Sequence, residues 1–208
     1  MQQKGIIKPG NFSLSTNVGE LKIEVEEGKV YMHQKKLKVL RMPGMSEVSQ
    51  GLGISDYAIH RDIPIQVVST GSPVMIVPMD SLESLLNMKP DRKKVIELSK
   101  AWDDAIIYAF TSQTMLPRST AHARMFDPVD GIDEEAATGV AAGALFSYMA
   151  AHNILSSPYS GLIEQGYVMG RPSEIEGRVA VKGGLVEGVI IGGTAVLVEK
   201  REIVLPKE

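Results

Sequence analysis

The run Thr138-Gly139-Val140-Ala141-Ala142-Gly143-Ala144-Leu145-Phe146-Ser147-Tyr148-Met149-Ala150-Ala151 sets the architecture of this chain. It carries no charge, and a helical period gives it no polar side. A helix that is apolar on every face must be enclosed. Its many Ala and Gly residues let strands approach closely. The pattern predicts a helix over 138–153 with a sheet curled around it.

Just ahead lies Asp127-Pro128-Val129-Asp130-Gly131-Ile132-Asp133-Glu134-Glu135-Ala136-Ala137, an acidic turn with a glycine in it. A helix start gathers free backbone N–H groups and partial positive charge. It is therefore a natural seat for a carboxylate or phosphate. Adjacent acids could move protons at whatever sits there. From spacing alone a second reading stands equally: an acidic first turn that only starts a core helix.

Outward from this segment the chain reads as mostly strand. Alternation marks strands over 12–16, 21–25 and 30–33, with Glu26-Glu27-Gly28 as a turn. Met42-Pro43-Gly44 breaks the meander, and a short helix over 46–52 ends at Gly53. Strands over 65–69 and 74–77 flank Thr70-Gly71-Ser72-Pro73. Asp80 or Ser81 can cap a short helix to Leu86. Asp91 can cap a longer one to Trp102, with Val95, Ile96, Leu98, Ser99 and Trp102 inward. Strands over 105–110 and 121–126 precede the acidic turn. Others over 161–165, 175–181, 185–191 and 194–203 follow the helix. Gly183-Gly184 and Gly192-Gly193 suit tight turns or bulges.

Composition bounds the function. The 208 residues carry a formal charge of -3, with 44% hydrophobic residues. Lys35-Lys36-Leu37-Lys38 and Arg92-Lys93-Lys94 are the only basic knots, and each reads as a solvated edge or helix face rather than a nucleic-acid footprint. With no cysteine there is no disulfide, thiol catalysis or Cys-ligated metal. No secretory signal is recognisable, and the longest apolar run, 140–151, is too short to span a bilayer. The expectation is a cytoplasmic chain with no nucleic-acid or membrane partner.

Three ordered stretches resemble the PhzF-like family, named for phenazine biosynthesis. The first is Arg124-Met125-Phe126-Asp127-Pro128 through Glu134-Glu135-Ala136-Ala137-Thr138-Gly139. The second is Glu164-Gln165-Gly166 with Gly170-Arg171-Pro172-Ser173 and the run 186–193. The third is Val68-Ser69-Thr70-Gly71-Ser72-Pro73. The resemblance implies an α+β, diaminopimelate-epimerase-like fold, in which a curved mixed or antiparallel sheet wraps a central helix in each of two similar domains. It also implies a cofactor-free, metal-free isomerase or epimerase that moves a proton beside a carboxylate-bearing centre. In that picture Glu135, Thr138, Gly139 and Val140 hold a small carboxylate substrate, with Gly71 and Arg171 as further candidates.

The sequence also departs from the family. The Gly-Asn-Pro turn, the Glu-Thr-Ala-Phe-type segment with the acid–base glutamate, and the Gly-His-Ala-Thr step have no counterpart. Met1-Gln2-Gln3-Lys4-Gly5-Ile6-Ile7 resembles the tail of the family's first helix. Glu135 stands where Asp is usual, Ala136 where Pro is usual, and Val140 where Ser is usual. The expectation is a chain that lacks most of the first domain, with the second copy of the fold unit incomplete. Residues 1–40 are a strand remnant of that domain, 41–63 a connector, 64–195 the second domain, and 196–208 a closing strand over 199–205. No catalytic residue is assigned, and no isomerase turnover is expected of the chain alone. The alternative is a non-catalytic binding or oligomerising module. Strands left without their helix predict a homo-oligomer through the N-terminal meander or a sheet edge.

Single residues complete the reading. His122 is expected to be a satisfied structural histidine and His152 a cap or dipole partner at the helix end. His33 and His60 lack partners at metal-ligand spacing. Arg171 fits an anion or a turn-stiffening salt bridge. Asp133 and Glu134 are expected to face water, because adjacent acids cannot all point inward cheaply.

Overall fold

The computed structural model describes residues 7–16 and 19–196. The chain opens with β1 (Gly10–Thr16), β2 (Gly19–Glu26) and β3 (Lys29–Gln34), then β4 (Lys38–Arg41), α1 (Met45–Leu52) and a 3-10 turn (Asp56–Ala58). There follow β5 (Gln66–Ser69), β6 (Pro73–Pro78), α2 (Leu82–Asn87), α3 (Arg92–Ala101), β7 (Ile106–Thr111), β8 (Ala121–Asp127) and β9 (Ile132–Glu135). The last elements are α4 (Gly139–Ala151), β10 (Ser160–Gln165), β11 (Ser173–Lys182) and β12 (Leu185–Gly193).

The strands form one mixed sheet in the order β1-β2-β3-β12-β11-β10-β8-β7-β6-β5-β4, with β9 paired to β8. Its pairs are antiparallel apart from β10–β8 and β6–β7. α4 contacts β12 and β11 as well as β5, β6 and β7. Those strands stand far apart in the sheet order, so the sheet curls around the helix. This is the curled sheet that the sequence pattern predicts, and it is consistent with the diaminopimelate-epimerase-like fold that the family resemblance implies. Ala141 through Ala150 of α4 are all buried. Gly177 of β11 and Gly143 of α4 make room: a Cβ on Gly177 would stand 2.2 Å from the Phe146 ring.

Alternation along the central strands feeds two cores. Val68, Val74, Ile76, Tyr108 and Ala123 pack inward with α4. Val67, Met75, Val77, Ile107 and Phe126 pack outward, under α1, α2 and α3. The expected caps are present. Ser81 rather than Asp80 caps α2, accepting from Ser84 N, and Asp91 caps α3, accepting from Lys93 N and Lys94 N. Gly53 ends α1 at φ 65°.

The meander β1–β3 is built differently. Phe12, Ile23, Met32 and Ile191 form one cross-strand row, and Leu14 sits opposite Leu21. Ile191 packs with α4, so this row continues the inner face beyond the helix. Phe12 is 39% exposed, Leu14 51% and Val30 45%. The opposite face is polar, with Glu24 bonded to His33 and Lys29 to Glu176.

Four expectations need adjustment. Residues 38–41, to which the sequence pattern assigns no strand, form the exposed edge strand β4, which pairs with β5, so that Lys38 of the basic knot stands on a solvated edge as expected. The acidic turn is half strand: residues 132–135 pair with β8 as β9, and only the bend at Asp127–Gly131 turns. Gly183-Gly184 makes the expected turn, both at positive φ, whereas Gly192-Gly193 lies within β12. Gly192 is required there by proximity, since a Cβ would fall 2.2 Å from the Val30 carbonyl oxygen. Residues 194–196 are not strand, and the strand expected over 199–205 lies outside the described residues. Among the described residues no helix is long and apolar enough to cross a membrane.

Candidate functional site

The site begins at the β8–β9 hairpin. Gly131 takes φ 82°, and Asp130 N and Gly131 N bond back to Asp127 O and Pro128 O. Asp127 is buried, and desolvation, reinforced by the nearby Asp130 charge, raises its pKa. Arg124 anchors the hairpin from β8. Its Nε and Nη2 meet the Glu134 carboxylate at 2.9 and 2.8 Å, while Nη1 donates to Leu85 O and Met88 O. A buried guanidinium needs such a partner. Glu134 therefore does not face water as expected, with a side chain only 17% exposed. Asp133 does, at 73%, and pairs with Arg92 at 2.7 Å.

Beyond the hairpin the chain enters α4. Thr138 is the N-cap by backbone geometry, but its side chain makes no cap bond. Its hydroxyl donates instead to Glu135 Oε2 at 2.8 Å and accepts from Gln165 Nε2 at 3.0 Å. Gln165 Nε2 also donates to Glu135 O at 2.7 Å, and Gln165 Oε1 accepts from the Tyr108 hydroxyl at 2.8 Å. Ser173 Oγ donates to Ala136 O at 2.5 Å. Gly166 closes the bracket at φ 81°, where a Cβ would stand 2.3 Å from Arg171 O and 2.8 Å from Ala136 O. The β10–β11 connection thus clamps residues 135–138 into one conformation.

The uncapped helix start opens on a cleft of about 770 Å³, whose lining includes Val30, Ala137, Gly139, Tyr167, Glu174 and Ile191. The lining combines apolar Val30 and Ile191 with the phenol of Tyr167 and the carboxylate of Glu174. Helix N–H groups without a side-chain cap favour an anion there. A second cleft of about 760 Å³, between α1 and α3, shares no residue with this one.

Glu135, Thr138, Gly139 and Val140 therefore sit together at the helix start, with Gly139 at the cleft and Val140 half-buried. Gly71 is not at the cleft. Its neighbour Thr70 reaches the helix indirectly, donating to Gln34 Oε1 at 2.6 Å while Gln34 Nε2 donates to Gly139 O at 3.0 Å. Arg171 lies exposed on the turn beside Pro172, and its guanidinium has no ion-pair partner among the described residues. Among the described residues no group of three His, Cys, Asp or Glu could hold a metal. Gln165, Tyr108, Ser173 and Gln34 escaped the sequence reading. Gln165 and Ser173 both stand in the second stretch that resembles the family, and that resemblance is the one signal pointing to them.

His122 is fully buried, with Nδ1 2.7 Å from Glu164 Oε2 and Nε2 without a hydrogen-bond partner among the described residues, so it is only half satisfied. Desolvation raises the Glu164 pKa, but N–H groups of Met115 and Leu116 and the His122 ring outweigh it, leaving the carboxyl below its ordinary range. His152 is the α4 C-cap by backbone, and its ring bonds to Gln66 Oε1 at 3.0 Å. Burial lowers its pKa, which works against a charge–dipole role.

The sequence profile of the phenazine biosynthesis-like proteins (PhzC-PhzF) matches residues 1–201. The chain belongs to this family. It is 35% identical over 185 residues to an uncharacterized isomerase of Deinococcus radiodurans, covering 86% of this chain and 58% of that one. It is 31% identical over 159 residues to the trans-2,3-dihydro-3-hydroxyanthranilate isomerase of Pseudomonas chlororaphis, covering 76% of this chain and 53% of that one. The chain thus spans less than two thirds of the length of these relatives. The crystal structure of a PhzF-family phenazine biosynthesis protein from Bacillus anthracis superposes with a TM-score of 0.83 at 23% identity, covering 98% of this chain and 72% of that one. That likeness carries the fold of this PhzF-like chain.

Proposed function

We propose that this chain forms the substrate-holding wall of a PhzF-like isomerase or epimerase that acts by proton transfer on a small carboxylate, without metal or cofactor. One observation carries the reading: α4 starts at the cleft with no side-chain cap, and the Glu135 carboxylate is held by Thr138 just ahead of it. N–H groups aimed at a carboxylate also favour the negative charge that develops when a neighbouring proton leaves. Glu135, Thr138, Gly139 and Val140 hold the substrate, and Arg171 lends positive charge from the adjoining turn. The soluble interior of a cell is the setting we assign.

The acid–base glutamate that the family resemblance places in the first domain has no counterpart among these 208 residues. That supports a second reading, in which the fold serves as a non-catalytic binding or oligomerising module. Under both readings the apolar row Phe12, Leu14, Leu21 and Ile23 is an assembly surface between copies of the chain.

Calorimetric titration with trans-2,3-dihydro-3-hydroxyanthranilate tests the reading. Binding at about 1 mM or tighter is expected, with NMR shifts at the Gly139 and Val140 amides and weakening in Glu135→Ala. Absence of both heat and shifts would falsify the substrate-wall reading. No deuterium should enter the ligand from heavy water. Incorporation that Glu135→Ala abolishes would instead show the chain turning over by itself.

A further inference from the structure

We infer that Gln165 is a positioning residue, fixing where Glu135 and the first peptide of α4 point. The inference rests on the proposed role of Glu135. Gln165 is fully buried and uses both ends of its amide. Tyr108 is fully buried too, and desolvation raises its pKa strongly, so its hydroxyl remains a donor. A donor on Oε1 fixes the amide orientation and turns Nε2 toward Glu135 O and Thr138 Oγ1. The Thr138 hydroxyl, already accepting from Gln165, is left to donate to Glu135 Oε2. The series Tyr108, Gln165, Thr138 therefore ends on one carboxylate oxygen, while Gln165 Nε2 also holds the backbone carbonyl of the same glutamate. The other oxygen, Oε1, is left outside this chain of bonds.

A glutamine that only knitted β10 to the helix start would affect stability and nothing more. A positioning residue must also alter the carboxylate it aims. With its amide removed, the Tyr108 hydroxyl, Glu135 O and Thr138 Oγ1 lose their partner, and Thr138 becomes free to rotate from Glu135 to the helix N–H groups, as an ordinary N-cap does. That rotation would close the helix start to an anion.

The experiment pairs Gln165→Leu with Tyr108→Phe, the latter removing one oxygen atom and keeping the ring. In ligand-free protein, both are expected to shift the Thr138 methyl and Gly139 amide resonances while α4 amides keep their hydrogen-exchange protection. With trans-2,3-dihydro-3-hydroxyanthranilate as probe, Gln165→Leu should weaken binding about tenfold or more and Tyr108→Phe about threefold. If Gln165→Leu does not fold, Tyr108→Phe carries both measurements. Unmoved Thr138 and Gly139 resonances in Tyr108→Phe, or unchanged probe affinity in a variant whose resonances have moved, overturn the inference. If the wild-type chain binds no probe yet the resonances move, the substrate reading fails while the aiming of Glu135 stands.

Discussion

Two glutamate–histidine pairs make a 2.7 Å contact in different parts of the molecule, His122 with Glu164 on the face of β8 and β10 turned away from α4 and His33 with Glu24 on the meander. The first pair is fully buried and the second is partly open to solvent. Their surroundings differ in kind. Around α4 the sheet is covered on both faces, so even β8, with His122, Arg124 and Asp127, is buried along its whole length. The meander is a single layer, apolar on one face and charged on the other, and nearly all of β1 is exposed. A glutamate–histidine contact of one length, made through Nδ1 in one pair and Nε2 in the other, gains or loses weight according to what lies behind it.

The most severe test of this contrast is a cavity in each half. Phe146→Ala is expected to cost about 4 kcal/mol of unfolding free energy, while Phe12→Ala costs less than about 1 kcal/mol, both by urea titration. Equal losses would mean that the meander is not a weakly packed layer. The two glutamates come next. Glu164→Gln should destabilise by about 2–3 kcal/mol at pH 7, because it disturbs a buried network. Glu164 is held below its ordinary value of 4.5, so folding favours the charged form. Its contribution is complete above pH 4.5 and is lost as the pH falls through the lower folded value, so the gap between wild type and variant should narrow there. Glu24→Gln should leave the urea midpoint unmoved.

Close approach gives a smaller contrast. Gly177→Ala should cost about 2 kcal/mol against the Phe146 ring, whereas Gly188→Ala, with nothing within 4 Å, should stay within about 0.5 kcal/mol. Smallest in folding terms is Leu14→Glu, expected to change stability by less than about 0.5 kcal/mol. Its effect belongs to assembly: light scattering should show the wild-type chain as a dimer or larger and Leu14→Glu shifted toward monomer. A monomeric wild type at micromolar concentration removes the assembly surface from the proposal.

Much of the covered half was legible because burial writes itself into composition. A helix without a polar side has only one place to go, and Ser81 and Asp91 stand where caps belong. Strands β4 and β9 were not legible. Lys38–Arg41 and Ile132–Glu135 each carry two or more charges in four residues, and pairing with a neighbour, not their own pattern, makes them strands. Glu134 shows the same limit, since its partner Arg124 is ten residues away and meets it only across the hairpin. At the site, sequence exposed the contiguous segment from Glu135 to Val140. Gln165 and Tyr108, which hold that segment from other strands, are joined to it by the fold alone.

Gln34 joins the meander to the enclosed helix. It leaves the last position of β3, lies against Gly143, bonds to Gly139 O and is held by Thr70. A Cβ on Gly143 would stand 2.0 Å from its Oε1. Over generations, then, these positions cannot drift independently. A side chain larger than hydrogen at 143 must displace the Gln34 amide or select a shorter residue at 34, and either change costs the bonds to Gly139 O and the Thr70 hydroxyl. Related chains should show positions 34, 70 and 143 changing as a set, a correlated inheritance that ties the history of the open meander to that of the enclosed helix.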